Sequence, residues 1–279
     1  MSDDGEARQQ RGIQSVEVGG QLLRALVHHG RPMSLGDLAR DADMAPAKAH
    51  PYMVSFGRLG LIEQDPVSGQ YLLGPLAVQL GLIGLQQNNP VQIATPLIDA
   101  LALSIGQTVA IAVWGDRGAT IVRLAESPAA VHVVMRHGTV FSLTSTASGR
   151  LFGAYMKAAV VKELLEEERT RRKQRDRVDP KPHPGMPVSA PMPSWREFEL
   201  ELDEVRRHGL SRSTGEIVPG VNAMAAPVFD HKGAIVLSVT AIGAAGVFDS
   251  SWDGELANAL KGCAQQISQR LGATGEGLA

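Results

Sequence analysis

Apolar residues recur at helical spacing from the first turns of the chain. Ile13, Val16, Leu23, Leu26 and Val27 predict an amphipathic helix over Gln14 to His28. Gly19-Gly20 weakens this helix but would let another helix approach closely, and Gly30 suits its end. Ser34 then caps a second segment, with Leu35, Leu38, Ala39 and Ala42 on one face. After the turn Asp43-Met44-Ala45, Pro46 opens a third segment whose buried stripe is Ala49, Met53, Phe56 and Leu59, with Tyr52 alongside. Gly60 closes it. Leu61 to Gln64 and Gln70 to Leu73 flank a Pro- and Gly-bearing turn, which predicts a hairpin. This order is that of a winged helix-turn-helix, a module that lays one helix in the DNA major groove.

Gly74-Pro75 begins a helix with Leu76, Leu80, Ile83 and Leu85 spread around much of its circumference. Such a helix favours contact with another helix, such as its copy in a second subunit. Val91 to Leu103 reads as a helix containing Pro96, after which the period changes to two. Strands are predicted over Thr108 to Trp114, Ala119 to Leu124, Val131 to Met135, Val221 to Val228 and Ala234 to Ile242. A run of small polar residues, Thr144 to Gly149, leads into a helix starting near Ser148-Gly149. Val160 to Arg177 reads as a solvated helix with acid-to-base pairs, and Asp179 to Pro193, with six prolines, as an extended loop. Further helices are expected from Ser194 to His208 and from Asp253 to Leu271. The fold class is α+β. It comprises a disordered arm (1–11), a winged helix-turn-helix (12–74), a linker helix (75–90), an α/β domain with a mainly antiparallel sheet (91–272) and a disordered tail (273–279).

Charge changes this picture little. The net charge is −2, and residues 1–90 hold seven Lys/Arg against nine Asp/Glu, so any surface for phosphates must be local. Between Met44 and Ile62 the only charged residues are Lys48 and Arg58, and no acid intervenes. These two and Ser55 fall off the buried stripe. Gln70 and Tyr71 in the wing either reach a phosphate or, for Tyr71, pack on the helices. No apolar run has membrane-spanning length, and the single Cys263 cannot form an internal disulfide, so a cytoplasmic location is expected. Cys263 lies on an apolar helix face and reads as a buried structural thiol.

Catalytic motifs are missing from the sequence. The histidines are scattered without metal-ligand spacing, no phosphate or dinucleotide loop occurs, and Ser142, Ser145 and Ser148 lack the glycines of a nucleophile elbow. Neither a metal nor a cofactor is expected. The run Thr144-Ser145-Thr146-Ala147-Ser148-Gly149 fits an anion site at a helix N-terminus, with Ser238 and Thr240 adding hydroxyls from a strand. It equally fits caps and sheet hydroxyls.

At Ser34 to Ala39, Ala47-Lys48-Ala49-His50, Gly69 to Pro75, Gly106 to Val109, Thr146 to Arg150, Pro219-Gly220-Val221, Ala225 to Asp230 and Leu237 to Thr240 the chain resembles the IclR family of bacterial transcription regulators. The resemblance runs from about Gln14 to Leu271. It implies a dimeric or tetrameric regulator that binds a double-stranded DNA operator, and a GAF-like C-terminal domain that binds a small, often carboxylate-bearing effector. The candidate DNA contacts are Ala47, Lys48, His50, Tyr52, Ser55, Arg58, Gln70 and Tyr71. The implied effector pocket is Phe141, Ala147, Ser148, Val221, Ala223, Ser238 and Thr240, with Val221 and Ala223 as an apolar wall. Organic-acid breakdown is the pathway class such relatives suggest. The alternative is a metabolite-binding protein or enzyme that has lost DNA binding. Two positions depart from the family: Pro51 stands where it usually has Arg after the His, and Val18 where it has Arg in the first helix. Pro51 would cost about 3 kcal/mol inside a helix. The third helix is therefore expected to pass through it at a cost, to kink there, or to begin later.

Overall fold

The computed structural model describes residues 12–126, 137–178 and 191–274. The chain divides into two compact units, residues 1–87 and 88–279. The predicted arm, the predicted strand Val131 to Met135, most of the proline-rich loop and residues 275–279 lie outside the described residues.

The first unit holds α1 (Gln14–His29), α2 (Leu35–Asp41), α3 (Pro46–Arg58), β1 (Ile62–Gln64), β2 (Tyr71–Leu73) and α4 (Pro75–Gln87). Each boundary has a local cause. The Ser34 hydroxyl accepts the Asp37 N–H at 3.1 Å and starts α2. The same hydroxyl holds the Asp37 carboxyl below its ordinary range, with Arg40 adding to the effect. Gly30 takes a left-handed φ of 61° and ends α1. Leu22, Leu26, Leu38, Met53 and Ile62 form a buried core. Gly19 is buried against α3: a Cβ there would stand 2.9 Å from the rings of Phe56 and Tyr52. The close approach expected of Gly19 is therefore between α1 and α3.

Helix α3 runs from Pro46 through Pro51 to Arg58. It neither begins later nor ends at the proline. Pro51 lies on the exposed side, where its ring meets solvent rather than the core.

The second unit contains α5 (Pro90–Ile105), β3 (Thr108–Gly115), β4 (Gly118–Ala125), α6 (Ala147–Tyr155), α7 (Ala158–Val178), α8 (Trp195–His208), β5 (Ser211–Thr214), β6 (Val221–Phe229), β7 (Ile235–Ala244) and α9 (Glu255–Arg270). The sheet order is β4-β3-β7-β6-β5, antiparallel throughout. The predicted antiparallel α/β domain is thus present, with β5 as an edge strand whose Ser-Arg-Ser-Thr sequence carries no apolar alternation.

Alternation along the strands sends two sets of side chains to opposite faces. Val109, Ile111, Leu237, Val239 and Ala241 join residues of α5 and α9 in one core. Trp114, Ala223 and Ala225 join α6, α7 and α8 in the other. Cys263 is buried in the first core, and burial pushes its thiol up to about 11. Among the described residues no helix is long and apolar enough to cross a membrane, and no group of three His, Cys, Asp or Glu is placed to hold a metal.

Candidate nucleic-acid interface and effector site

Ala47, Lys48, His50, Ser55 and Arg58 are all exposed on α3, as is Pro51 between them. Helical geometry explains the sorting. Ala49 and Met53 turn into the core at 0% and 1% exposure, which leaves the opposite side of the helix to solvent. Ser55 is not a free donor, because its hydroxyl donates to the Pro51 carbonyl at 2.9 Å. Tyr52 is half-buried and packs against the core beside Gly19.

In the wing, Gln70 is half-buried. Tyr71 is a correction to its place among the DNA contacts. Its side chain is 9% exposed within the core, and its backbone N–H and carbonyl pair with Met33 at 2.8 and 3.0 Å. Between contacting phosphate and packing on the helices, it packs. The turn between the wing strands is held by Asp65, which accepts from Val67 N–H at 3.0 Å and Ser68 Oγ at 2.6 Å. The Ser68 bond and then the Val67 bond keep the Asp65 carboxyl below its ordinary range.

The second set of candidates converges where α6 crosses the sheet. Ser148 on α6 and Ser238 and Thr240 on β7 are 1%, 0% and 2% exposed. Ser148 Oγ is 2.9 Å from Thr240 Oγ1, which is 3.3 Å from Ser238 Oγ. Two contacts engage two of the three hydroxyl protons, so one donor is left over. The neighbouring positions are small or compact: Ala110 and Ala225 stand opposite Thr240, and Ala112 and Pro227 opposite Ser238. That is why α6 lies so near the sheet.

Val221 and Ala223 are half-buried on β6 and pair with Ala244 and Ile242, two and one alternate positions beyond Thr240 respectively. Ala147 is buried at the start of α6. Phe141, half-buried, is fixed to the far edge of the sheet by its N–H donating to the Ala119 carbonyl at 2.7 Å. The structure therefore brings Ser148, Ser238 and Thr240 together. It leaves Phe141 on the β4 side, separated from the β6 wall by β3 and β7.

The rest of the small polar run has intramolecular partners. Thr146 caps α6, accepting from Gly149 N–H at 2.9 Å and donating to the Ser142 carbonyl at 2.7 Å. Gly149 is required there, since a Cβ would lie 2.0 Å from the Ser142 carbonyl oxygen. A carboxylate does sit on this loop, and it belongs to the chain itself. Glu168 of α7 accepts from Ser142 Oγ at 2.5 Å, Leu143 N–H at 2.7 Å and Thr144 Oγ1 at 3.1 Å. Arg150, only 9% exposed, donates to the Thr144 carbonyl at 2.9 Å and to Glu216 at 2.7 Å, with a further bond to the Arg212 carbonyl. Neither Glu168 nor Arg150 is among the sequence-derived site residues.

A winged helix-turn-helix followed by an antiparallel α/β unit of this order defines a DNA-binding transcription regulator. Residues 15–66 match the IclR helix-turn-helix domain, and residues 84–181 and 189–269 match the family described as bacterial transcriptional regulator IclR C-terminal. The chain belongs to the IclR family and is a transcription regulator rather than an enzyme. It is 30% identical to the glycerol operon regulatory protein of Streptomyces coelicolor over 94% of this chain and 98% of that one. The crystal structure of Pseudomonas aeruginosa HmgR superposes with a TM-score of 0.82 at 31% identity, covering 94% of this chain and all of that one. An IclR homolog from Microbacterium hydrocarbonoxydans, crystallised with 4-hydroxybenzoate, shares the fold at 17% identity and a TM-score of 0.52, over 92% and 98% of the two chains.

Proposed function

We propose that α3 reads an operator in the major groove and that a small organic acid, bound by the second unit, controls that affinity. The exposed Lys48 and Arg58, free of intervening acids, supply the local positive charge the overall composition lacks. The observation that carries the effector reading is the buried Ser148–Thr240–Ser238 cluster and its spare hydroxyl proton. A buried donor beside the apolar Ala110, Ala112, Ala225 and Pro227 suits the oxygen of a carboxylate. The 4-hydroxybenzoate of the Microbacterium relative, an aromatic carboxylate, belongs to the same chemical class. A role in organic-acid catabolism is consistent with that class.

The protein acts as a homodimer or tetramer. Helix α4 has no buried residue, and Val78, Leu80, Leu82, Ile83 and Leu85 are 45–57% exposed, an apolar surface that a second α4 would cover. Paired recognition helices then match a pseudo-palindromic operator. Calorimetric titration of wild type and Thr240→Val with small carboxylates, 4-hydroxybenzoate among them, tests the pocket. Binding by wild type that the variant loses is expected; equal binding by both would move the effector site elsewhere.

A further inference from the structure

Positions 47, 51, 54 and 58 of α3 follow one another at spacings of four, three and four, so they form a single stripe along the helix. All four are exposed, Val54 at 40%. The stripe runs Ala47, Pro51, Val54, Arg58: three apolar residues, then one cation. The hydroxyl beside it, Ser55, donates to the Pro51 carbonyl at 2.9 Å, which leaves it only as an acceptor. Pro51 itself has neither a polar side chain nor a backbone N–H. Pro51 and Val54, at the centre of the face that α3 turns outward, therefore offer base edges no hydrogen bond.

The major groove offers one protruding apolar group, the 5-methyl of thymine; cytosine has only a C5–H in its place, and the remaining base-edge groups are donors or acceptors. An apolar side chain pressed on such an edge leaves it unpaired, which disfavours that base. Pressed on a thymine methyl it gains by burial. We infer that this chain selects operator half-sites through thymine methyl groups read by Ala47, Pro51 and Val54, with Arg58 reading a guanine at the end of the same stripe. The inference rests on α3 being the DNA-reading helix.

The test uses the full chain and a pool of random-sequence duplexes, from which bound sites are selected. Half-sites should share thymines next to a guanine. Replacing each shared thymine by deoxyuridine removes only the methyl. At one or more positions this should weaken binding about threefold to fivefold, the worth of one buried methyl. In Val54→Ala the penalty at one of those positions should vanish, since the methyl has lost its partner. Selected sites without shared thymines, or deoxyuridine substitutions that all leave affinity unchanged, would overturn this inference and leave DNA reading by α3 intact. A pool from which nothing is enriched would overturn DNA reading and this inference together.

Discussion

The hydroxyls of Ser148 and Thr240 lie 2.9 Å apart, although 92 residues separate them in the chain. The contact fixes the first turn of α6 to the middle of the sheet, and Thr240 also serves Ser238. Thr240→Val keeps the shape and removes the shared hydroxyl. It should leave two buried hydroxyls without partners and cost about 1–3 kcal/mol. Urea unfolding of the variant measures this, and Ser148→Ala added to it should restore part of the loss. An unchanged midpoint would show that the cluster contributes nothing to stability.

Glu168 closes the loop before α6 from the other side. Three donors from residues 142–144 meet its carboxylate. Glu168→Ala is expected to destabilise the second unit by roughly 1–3 kcal/mol and to raise amide exchange at Leu143. Hydrogen exchange at that amide is the direct readout; protection equal to wild type would show that the loop is held by its own turns.

Pro51 sits inside α3, so Pro51→Ala should stabilise the first unit by about 1–3 kcal/mol by restoring a helix donor and removing a steric conflict. Pro51→Arg places a cation on the exposed face. It removes the methyl contact inferred for Pro51, so the preference for thymine at that position should be lost, while the salt dependence steepens by about one phosphate contact. Thermal melting checks the first outcome and binding at several salt concentrations the second. An arginine that leaves the slope unaltered would place residue 51 away from the phosphates.

Cys263 is buried on α9 and its thiol titrates at about 11 rather than 9.0. The folded form thus keeps its proton where the unfolded form loses it. The stability tied to this proton is complete below pH 9.0 and is lost as pH rises toward about 11. The native thiol should resist alkylation at pH 8 and react freely in denaturant. A stability profile of Cys263→Ala that keeps the same alkaline decline would assign that decline to other groups.

Most elements could be read from apolar spacing, the helices by a buried stripe and the central strands β3, β6 and β7 by apolar runs buried on both faces. The three N-terminal helices and the strands β3, β4, β6 and β7 form where apolar spacing predicts them. But Ile13, Val16, Val27 and Leu59, expected on buried helix faces, are 61–68% exposed, and the core is made instead by Leu22, Ala25 and Leu26 of α1 and Ala49 and Met53 of α3. Strand β5 escaped because Ser211 to Thr214 has no apolar partner pattern; its place is fixed by pairing with β6. Tyr71 could not be assigned from sequence, since a tyrosine fits a wing tip and a core equally, and only burial decides. Glu168 was hidden in the acidic run Glu166-Glu167-Glu168, which suggests a solvated face. A signal was present: Val161, Leu165 and Glu168 lie on one helical stripe, and the first two are buried at 0% and 1%. The meeting of Ser148 with Ser238 and Thr240 depends on α6 crossing the sheet, a tertiary fact with no local signature. Family resemblance supplied that grouping, and three of its seven residues lie in contact.

The claim that joins the two units is that a small carboxylate changes operator affinity. Fluorescence anisotropy of a labelled selected operator, titrated with the full chain in the presence and absence of a panel of small carboxylates, measures it directly. At least one carboxylate should shift the dissociation constant about fivefold or more, within the range of ordinary allosteric coupling, and Thr240→Val should bind the operator without that shift. Operator affinity that stays constant across the whole panel, in wild type as in the variant, would contradict the account.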